Sequence, residues 1–212
     1  MRTYKVIENF KKSAKTFCLR VERPVDLIKA GQCFNIGIPG YDINREYSMY
    51  SNADENFLDF LIRSVDGGLV STRLETLKKG DVVEIDGPYG EFCLPNDYLS
   101  KKFIFICSGT GIAPFHSFIS TYKNLDYLLV HGIRDGSEMY DRLDYDKDKY
   151  IACISKNSNG KSLRVTDYIR DHIYDADSIV YLCGNKNMII DSVELLLERG
   201  FSGSQIISEV FF

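Results

Sequence analysis

A glycine-rich segment, GTGIAP at residues 109–114, has the composition of a turn that binds phosphate. It lies between the apolar run FIFICS and a helical pattern, so it connects a buried strand to the N-terminus of a helix. Glycines let the backbone approach a ligand closely, and a helix N-terminus offers N–H groups and the positive end of a dipole. The segment predicts a nucleotide pyrophosphate site, with a plain tight turn as the alternative. Its candidate contacts are Thr110, Gly111, Ala113 and Pro114.

Basic and hydroxyl side chains follow the next two predicted strands, in the segments HGIRDG and ISKNSNGKSLR. The carboxyl ends of parallel strands meet at one edge of a sheet, so these side chains are expected close together. Such groups suit a 2′-phosphate, which favours NADP over NAD, with ordinary loop charges as the alternative. The residues are Arg134, Ser155, Lys156, Lys161 and Arg164.

A later strand pattern, VYLCG, ends in Cys183 and Gly184. A cysteine at such a position is usually a buried structural thiol. The other interpretation is that Cys183 lines the crevice in which a nicotinamide would lie.

The segment REYSMYSN, residues 45–52, carries polar side chains where a strand should bury apolar ones. Strand alternation puts Arg45, Tyr47 and Met49 on one face and Ser48 on the other. Arg45 can bind a phosphate with its forked guanidinium, and Tyr47 can lie against a flat ring. Ser48 is small and can donate a hydrogen bond.

The segment DGGLVSTRL, residues 66–74, leads a second glycine-rich turn into a short helix. Ser71 is the expected N-cap, and Thr72 stands beside it. The turn predicts a second anion site. Two phosphate sites, a ring-stacking tyrosine and a nicotinamide-nucleotide site together imply a flavin. The alternative is a barrel whose polar strand is satisfied internally.

Two kinds of structure must position these groups. Residues 1–97 contain short strand patterns separated by turn residues, which predicts an antiparallel β-barrel domain. Residues 98–212 alternate buried strands with helices, which predicts an α/β domain with a doubly wound parallel sheet. The first strand of that sheet would lead directly into the GTGIAP turn.

Charge and cysteine content narrow the function classes. The net charge of −4 gives no basic field for nucleic acid. Residues 1–29 hold eight Lys or Arg against three acids, which indicates either a solvated face or a docking patch for an acidic partner. The six cysteines form no CxxC pair, so we expect reduced cytosolic thiols, with no metal site and no iron–sulfur cluster. No signal peptide or membrane span is expected.

The motifs Arg45-x-Tyr47-Ser48, Gly68-x-x-Ser71, Gly109–Pro114 and Cys183-Gly184 occur in one order, followed by EVFF. In this order and spacing the chain resembles the ferredoxin/flavodoxin–NAD(P)H reductase family, and in particular the bacterial-type ferredoxin–NADP reductases. The resemblance covers nearly the whole length. It implies an FAD-binding barrel over residues 1–97 and an NAD(P)-binding α/β domain over residues 98–212.

The resemblance also implies residue roles. Ser48, Cys183 and Glu209 would be catalytic, and Phe211 or Phe212 would cover the flavin face opposite Tyr47. The implied FAD contacts are Arg45, Tyr47, Ser48, Met49, Ile62, Gly68, Val70, Ser71, Thr72 and Phe212. The implied NAD(P) contacts are Thr110, Gly111, Ala113, Pro114, Arg134, Ser155, Lys156, Arg164, Cys183 and Gly184.

The implied activity is that of a cytoplasmic FAD-dependent oxidoreductase. It would pass a hydride from NAD(P)H to FAD and then single electrons to a small carrier, ferredoxin or flavodoxin. No nucleic-acid or membrane partner is expected. The alternatives are an NAD(P)H:free-flavin reductase, an electron-transfer flavoprotein subunit of a larger oxidoreductase complex, and a flavin-binding regulatory module without turnover.

Overall fold

The computed structural model describes residues 1–25, 27–156, 162–173 and 177–211. The chain forms two compact units. The first comprises Met1–Leu94 with His116–Thr121, and the second comprises Pro95–Phe115 with Tyr122–Phe212.

The first unit is built on a six-stranded antiparallel sheet. Its strands are β1 (Arg2–Lys11), β2 (Thr16–Glu22), β3 (Cys33–Gly37), β4 (Asn44–Ser48), β5 (Phe57–Arg63) and β6 (Val82–Tyr89). They pair in the order β4-β3-β6-β1-β2-β5. A bridge between Met49 and Phe60 joins the two outer strands, so the sheet closes. The predicted antiparallel barrel is therefore confirmed.

A largely buried charge pair lies in the barrel wall. Arg20 on β2 faces Asp59 on β5, and both guanidinium–carboxylate contacts measure 2.8 Å. Asp59 is only 7% exposed, and the Arg20 guanidinium lies 3.7 Å above the ring of Phe57. The hydrogen bond to Asp59, together with the Asp59 charge, raises the pKa of Arg20, and burial opposes this effect. The pair satisfies a carboxylate that would otherwise be costly to bury.

The second unit is built on a five-stranded parallel sheet in the order β11-β10-β7-β8-β9. Its strands are β7 (Lys102–Ser108), β8 (Asp126–Ile133), β9 (Tyr150–Ile154), β10 (Ile179–Asn185) and β11 (Ile206–Phe211). The helices of the chain are α1 (Ser71–Thr76), α2 (Ala113–Thr121), α3 (Val165–His172) and α4 (Lys186–Glu198). The predicted α/β domain with a parallel sheet is confirmed.

The strand order places a topological switch point beside β7. From β7 the chain runs outward through β8 and β9, then returns to β10 and β11 on the other side of β7. Ligands of open α/β sheets bind outside the carboxyl ends of the strands at such a point. The β7 strand is apolar over Phe103–Cys107 because both of its faces are covered. Among the described residues, no helix has the length and apolar character needed to cross a membrane.

Candidate functional site

The polar strand β4 presents its two larger candidate side chains to the surface of the first unit. Arg45 is exposed, and its Nη1 donates to the Asn44 carbonyl at 2.8 Å. Tyr47 is half-buried, and this burial raises its pKa to about 12 against an opposing effect of Arg45. The phenol therefore stays neutral at physiological pH. A fixed guanidinium next to a neutral aromatic ring suits an anionic ligand that also carries a flat ring.

The other candidates of this segment lie deeper. Ser48 is 4% exposed, and it is the cross-strand partner of Cys33 on β3. Met49 and Ile62 are fully buried, and Val70 is 4% exposed. These last three side chains lie in the core.

The turn before α1 differs from its predicted form in one respect. Ser71 is the first residue of the helix and Val70 occupies the N-cap position, so the predicted N-cap role of Ser71 is wrong. The Ser71 hydroxyl instead accepts from the Val65 N–H at 3.2 Å, which ties the helix back to the loop. Thr72 donates from Oγ1 to the Gly68 carbonyl. The hydroxyls of this turn thus hold its shape.

Asn9 on β1 secures the far end of α1, and sequence reasoning missed it. Its Nδ2 donates to the carbonyls of Leu74 and Leu77 at 2.9 Å each, and lies 3.3 Å from that of Glu75. The last carbonyls of a helix have no partner within the helix. An asparagine inside a strand pattern carries no local signal of this role, because its partners lie far along the chain.

The GTGIAP turn sits at the carboxyl end of β7. Gly109–Ile112 form a single 3₁₀ turn that runs directly into α2, with Pro114 in the first turn of that helix. A Cβ on Gly111 would lie 2.7 Å from the Cys183 carbonyl carbon and 2.8 Å from Gly184 Cα. Only a glycine allows this approach. Two segments that the sequence marked separately therefore meet at one edge of the sheet.

Ser108 and Asn185 complete this edge, and neither was predicted. The Asn185 N–H donates to Ser108 Oγ at 3.0 Å, which links the ends of β7 and β10. The Asn185 side chain accepts from the N–H groups of Asn187 and Met188 and so caps α4. Serine and asparagine directly after apolar strands were the available signal.

Cys183 and Glu209 are neighbours on adjacent strands. They are register partners in the pairing of β10 with β11. Cys183 is fully buried, and this burial, followed by the nearby Glu209 charge, raises the pKa of its thiol well above the ordinary value. The thiol is therefore protonated and acts as a small apolar group. Phe211 ends β11 opposite Asn185, and Phe212 lies outside the described residues.

The predicted basic cluster is brought together by the backbone. The Ser155 N–H donates to the Ile133 carbonyl at 2.9 Å, and the Lys156 N–H donates to the Arg134 carbonyl at 2.8 Å. The Leu163 N–H donates to the Ile154 carbonyl at 3.0 Å, which brings the neighbouring Arg164 to the same strand end. Lys161 lies outside the described residues.

Asp135, beside Arg134, has a local structural contact. Its carboxylate accepts from the Ser137 N–H at 3.0 Å and from the Ser137 hydroxyl at 2.6 Å. These bonds lower the pKa of Asp135. The carboxylate is thereby used in shaping the loop after β8.

The basic region at residues 1–29 is partly neutralised within its own unit. Lys11 pairs with Glu75, and Lys15 Nζ lies 2.6 Å from an Asp66 carboxylate oxygen. Arg20 forms an ion pair with Asp59. The local field is therefore weaker than the count of basic residues indicates.

Family models match both halves of the chain. A model described as an oxidoreductase FAD-binding domain covers residues 3–93, and one described as an oxidoreductase NAD-binding domain covers residues 105–194. Together the two matches span most of the chain, which therefore belongs to the oxidoreductases built from these FAD-binding and NAD-binding domains. The cofactors of these two domains are FAD and a nicotinamide dinucleotide.

The curated relatives are longer reductase components. The chain is 28% identical over 199 residues to the toluate 1,2-dioxygenase electron transfer component of Pseudomonas putida, a match that spans 85% of this chain and 58% of that protein. It is 29% identical over 230 residues to terephthalate 1,2-dioxygenase reductase component 1 of a Comamonas species, spanning 99% and 68%. The chain therefore spans little more than half of the first relative and about two thirds of the second.

Solved structures share the fold. A cytochrome P450 reductase of Amycolatopsis superimposes with a TM-score of 0.87 at 26% identity, covering 99% of this chain and 70% of that one. A ferredoxin NADP⁺ reductase from Neisseria gonorrhoeae, with bound FAD and NADP, gives a TM-score of 0.86 at 21% identity, covering 100% and 98%.

The described residues fit both cofactors. At the edge that contains Thr110, the glycines Gly111 and Gly184 leave the backbone accessible, as a pyrophosphate requires. The β4 surface offers a guanidinium and a neutral tyrosine ring. The α1 turn adds two hydroxyls close to a glycine. These donor types are the ones that bind the phosphates and rings of dinucleotides.

Proposed function

We propose that this chain is an FAD-dependent oxidoreductase that takes a hydride from NAD(P)H and passes single electrons to a small carrier, ferredoxin or flavodoxin. The observation that carries the proposal is the close approach of Gly111 to Cys183 and Gly184 at the switch point of the sheet. It unites two separately predicted motifs into one dinucleotide-binding edge. The FAD-binding match over residues 3–93 supports the flavin half.

On the flavin side, each residue has a distinct task. Arg45 and Ser71 hold the pyrophosphate, and Tyr47 lies against the isoalloxazine ring. Ser48 hydrogen-bonds the reacting edge of the ring, and its burial keeps water from that edge. FAD, when bound, supplies the exchange between two-electron and one-electron chemistry.

On the nicotinamide side, Thr110–Pro114 hold the pyrophosphate. Cys183, as a protonated and buried thiol, gives the nicotinamide an apolar neighbour, and Glu209 beside it carries the polar contact. Arg134, Ser155, Lys156 and Arg164 take the 2′-phosphate, so NADPH is preferred over NADH. The backbone bonds that join these strand ends support this assignment.

The acceptor is a carrier protein or an oxygenase component. The names of the relatives, an electron transfer component and a reductase component of dioxygenases, support this choice. Because Lys11 and Lys15 are paired within the unit, steering by this region is modest. The cytoplasm is the proposed compartment, because all six cysteines are free thiols.

The first test is anaerobic titration of the purified, flavin-loaded protein with NADPH and then NADH, followed by visible absorption. We expect the flavin bands to bleach at lower NADPH than NADH concentration. Bands that neither nucleotide bleaches would contradict the proposed activity. Equal response to both would contradict only the NADP preference.

A second candidate is the electron-transfer subunit of a larger oxidoreductase. The chain is 26% identical to a probable dihydroorotate dehydrogenase B electron transfer subunit from Methanopyrus kandleri, over 92% of this chain and 74% of that protein. Reduction of an isolated ferredoxin or flavodoxin by the purified chain favours the first candidate. Electron transfer only after addition of a partner dehydrogenase favours the second. Loss of flavin on gel filtration would instead indicate a free-flavin reductase.

A further inference from the structure

A buried histidine contacts the first residue of the Gly109–Pro114 turn. His131, on β8, has no exposed surface. Its Nε2 lies 2.8 Å from the Gly109 carbonyl oxygen, and its Nδ1 lies 2.9 Å from the Tyr150 hydroxyl. Gly109 is the first residue of the turn and has a φ of +53°. The contact therefore joins β8 to the residue at which the chain leaves β7.

The partners of His131 determine which nitrogen carries the proton. Burial lowers the pKa of His131 to about 4, so the ring is neutral and has one donor and one acceptor. A carbonyl oxygen only accepts, so Nε2 must carry the proton. Nδ1 then accepts from the Tyr150 hydroxyl. The other tautomer would place two acceptors face to face, which is unfavourable in a buried site.

Tyr150 is itself held in place. Its ring stacks on that of Tyr145 with centroids 5.2 Å apart, and the Arg142 guanidinium lies 4.7 Å from its centroid. Burial raises the pKa of the Tyr150 hydroxyl, so it keeps its proton and remains a donor. The Tyr150 hydroxyl and the His131 ring therefore form a fixed donor chain that ends at Gly109.

Fixing the Gly109 carbonyl also fixes the next amide. In a trans peptide the C=O and the following N–H lie in one plane and point in opposite directions. With the Gly109 oxygen turned toward His131, the Thr110 N–H of the same peptide points away from His131. An N–H at this turn is the kind of donor that binds a pyrophosphate oxygen.

We propose that His131 is a positioning residue for nucleotide binding: it holds the Gly109 carbonyl and thereby aims the Thr110 N–H at the pyrophosphate of NADP(H). This inference rests on the proposed function of the turn. It assigns a role to a side chain that never touches the ligand. The same role extends to Tyr150, which keeps His131 in the required tautomer.

The test measures binding by calorimetry with the flavin-loaded protein, using NADP⁺ and 2′-AMP as probes. NADP⁺ contains the pyrophosphate and 2′-AMP does not. Since the loss of one aimed hydrogen bond corresponds to about tenfold in affinity, His131→Leu should weaken NADP⁺ by that factor and leave 2′-AMP nearly unchanged. His131→Gln should restore most of the NADP⁺ affinity, because its amide N–H can replace Nε2–H.

Ile169→Val is the matched control for a small loss of packing in the same unit, since Ile169 is fully buried in the hydrophobic core there. It should change neither affinity. If His131→Leu does not fold, Tyr150→Phe provides the test, with a smaller expected NADP⁺ loss of about threefold. A Thr110 amide resonance that shifts with NADP⁺ in the wild type and not in the variant supports the aiming directly.

The outcomes are distinct. Equal NADP⁺ affinity in the wild type and the testable variant would overturn the role of His131. Equal loss for NADP⁺ and 2′-AMP would also overturn it, because it would indicate a general structural effect. A wild-type protein that binds neither NADP⁺ nor NADH would instead contradict the proposed function.

Discussion

The turn at Gly67–Gly68 and the turn at Gly109–Gly111 both lead a strand into a helix, and Gly67 in the first turn meets a different need from Gly111 in the second. Gly67 has a φ of +76°, and a Cβ placed on it would meet nothing within 4 Å. Gly111 stands in the opposite situation, because a Cβ there would meet the backbone of Cys183 and Gly184. Gly67 needs backbone freedom, and Gly111 needs space.

The supports of the two turns differ in the same way. The helix after the first turn, α1, has six residues and is held at its far end by the Asn9 side chain. The second turn is held by the backbone of β10 and by the buried ring of His131. A turn held by backbone and a buried ring tolerates less change than one held by a side chain near the surface.

Gly111→Ala is the change expected to have the largest effect. The added methyl group would displace backbone, which cannot rotate away as a side chain can, so we expect a loss of about 3 kcal/mol in the free energy of unfolding. NADP⁺ binding should be lost, while FAD should stay bound. Urea unfolding and calorimetry measure the two effects.

Gly67→Ala is the matched control for this change. It introduces only the strain of a left-handed residue, about 1 kcal/mol, since its Cβ points into open space. NADP⁺ affinity should be unchanged. Equal damage from both substitutions would mean that the two turns use glycine for the same reason.

The acid sensitivity of the second turn follows from His131. Its pKa in the folded protein, about 4, lies below the ordinary value of 6.5, so the unfolded chain binds the proton first as the pH falls. The stabilising contribution is fully present above about pH 6.5 and is lost progressively toward pH 4. Between pH 7 and pH 5 the protein should lose about 2 kcal/mol of its free energy of unfolding from this residue.

This contribution can be isolated by comparing the wild type with His131→Gln in urea unfolding at the two pH values. The advantage of the wild type in the free energy of unfolding should be smaller at pH 5 than at pH 7. The wild type loses stability as the pH falls, and glutamine does not titrate. The neighbouring Cys107 and Tyr150 have raised pKa values and stay neutral throughout this range. A difference that is constant with pH would show that His131 does not remain neutral in the folded protein.

Asn9→Ala tests the support of the first turn. Removing hydrogen bonds to the last carbonyls of α1 should cost about 1.5 kcal/mol in the free energy of unfolding. FAD should be released more readily on gel filtration, while NADP⁺ affinity stays the same. Asn187→Ala, at an exposed site in α4, should change none of these quantities. Unchanged flavin retention in Asn9→Ala would mean that α1 is held without this side chain.

Much of the site was predictable because its signals are local. Alternating apolar runs and turn residues specified the barrel strands, and the continuous apolar run at Phe103–Cys107 specified a strand covered on both faces. The glycines and the proline of the segment GTGIAP predicted a phosphate-binding turn. Ser71 was correctly predicted to lie at the start of α1, but its predicted role as the N-cap was wrong. Its hydroxyl accepts from the Val65 N–H instead of capping the helix.

The residues that sequence reasoning missed are those whose partners are distant in the chain. The sequence around each of them gives no signal of the contact that it forms, because the partner group comes from a distant part of the chain. These residues are Asn9, His131, Tyr150 and Asn185.

The amino-acid sequence by itself determined the two architectures, the order of the motifs and the family, because periodicity and turn chemistry act between near neighbours. Only the tertiary structure decided why Gly111 must be a glycine and which nitrogen of His131 carries the proton. The physical reason is that excluded volume and the pairing of buried donors with acceptors depend on which distant groups share a space. Those distances are set by the fold as a whole.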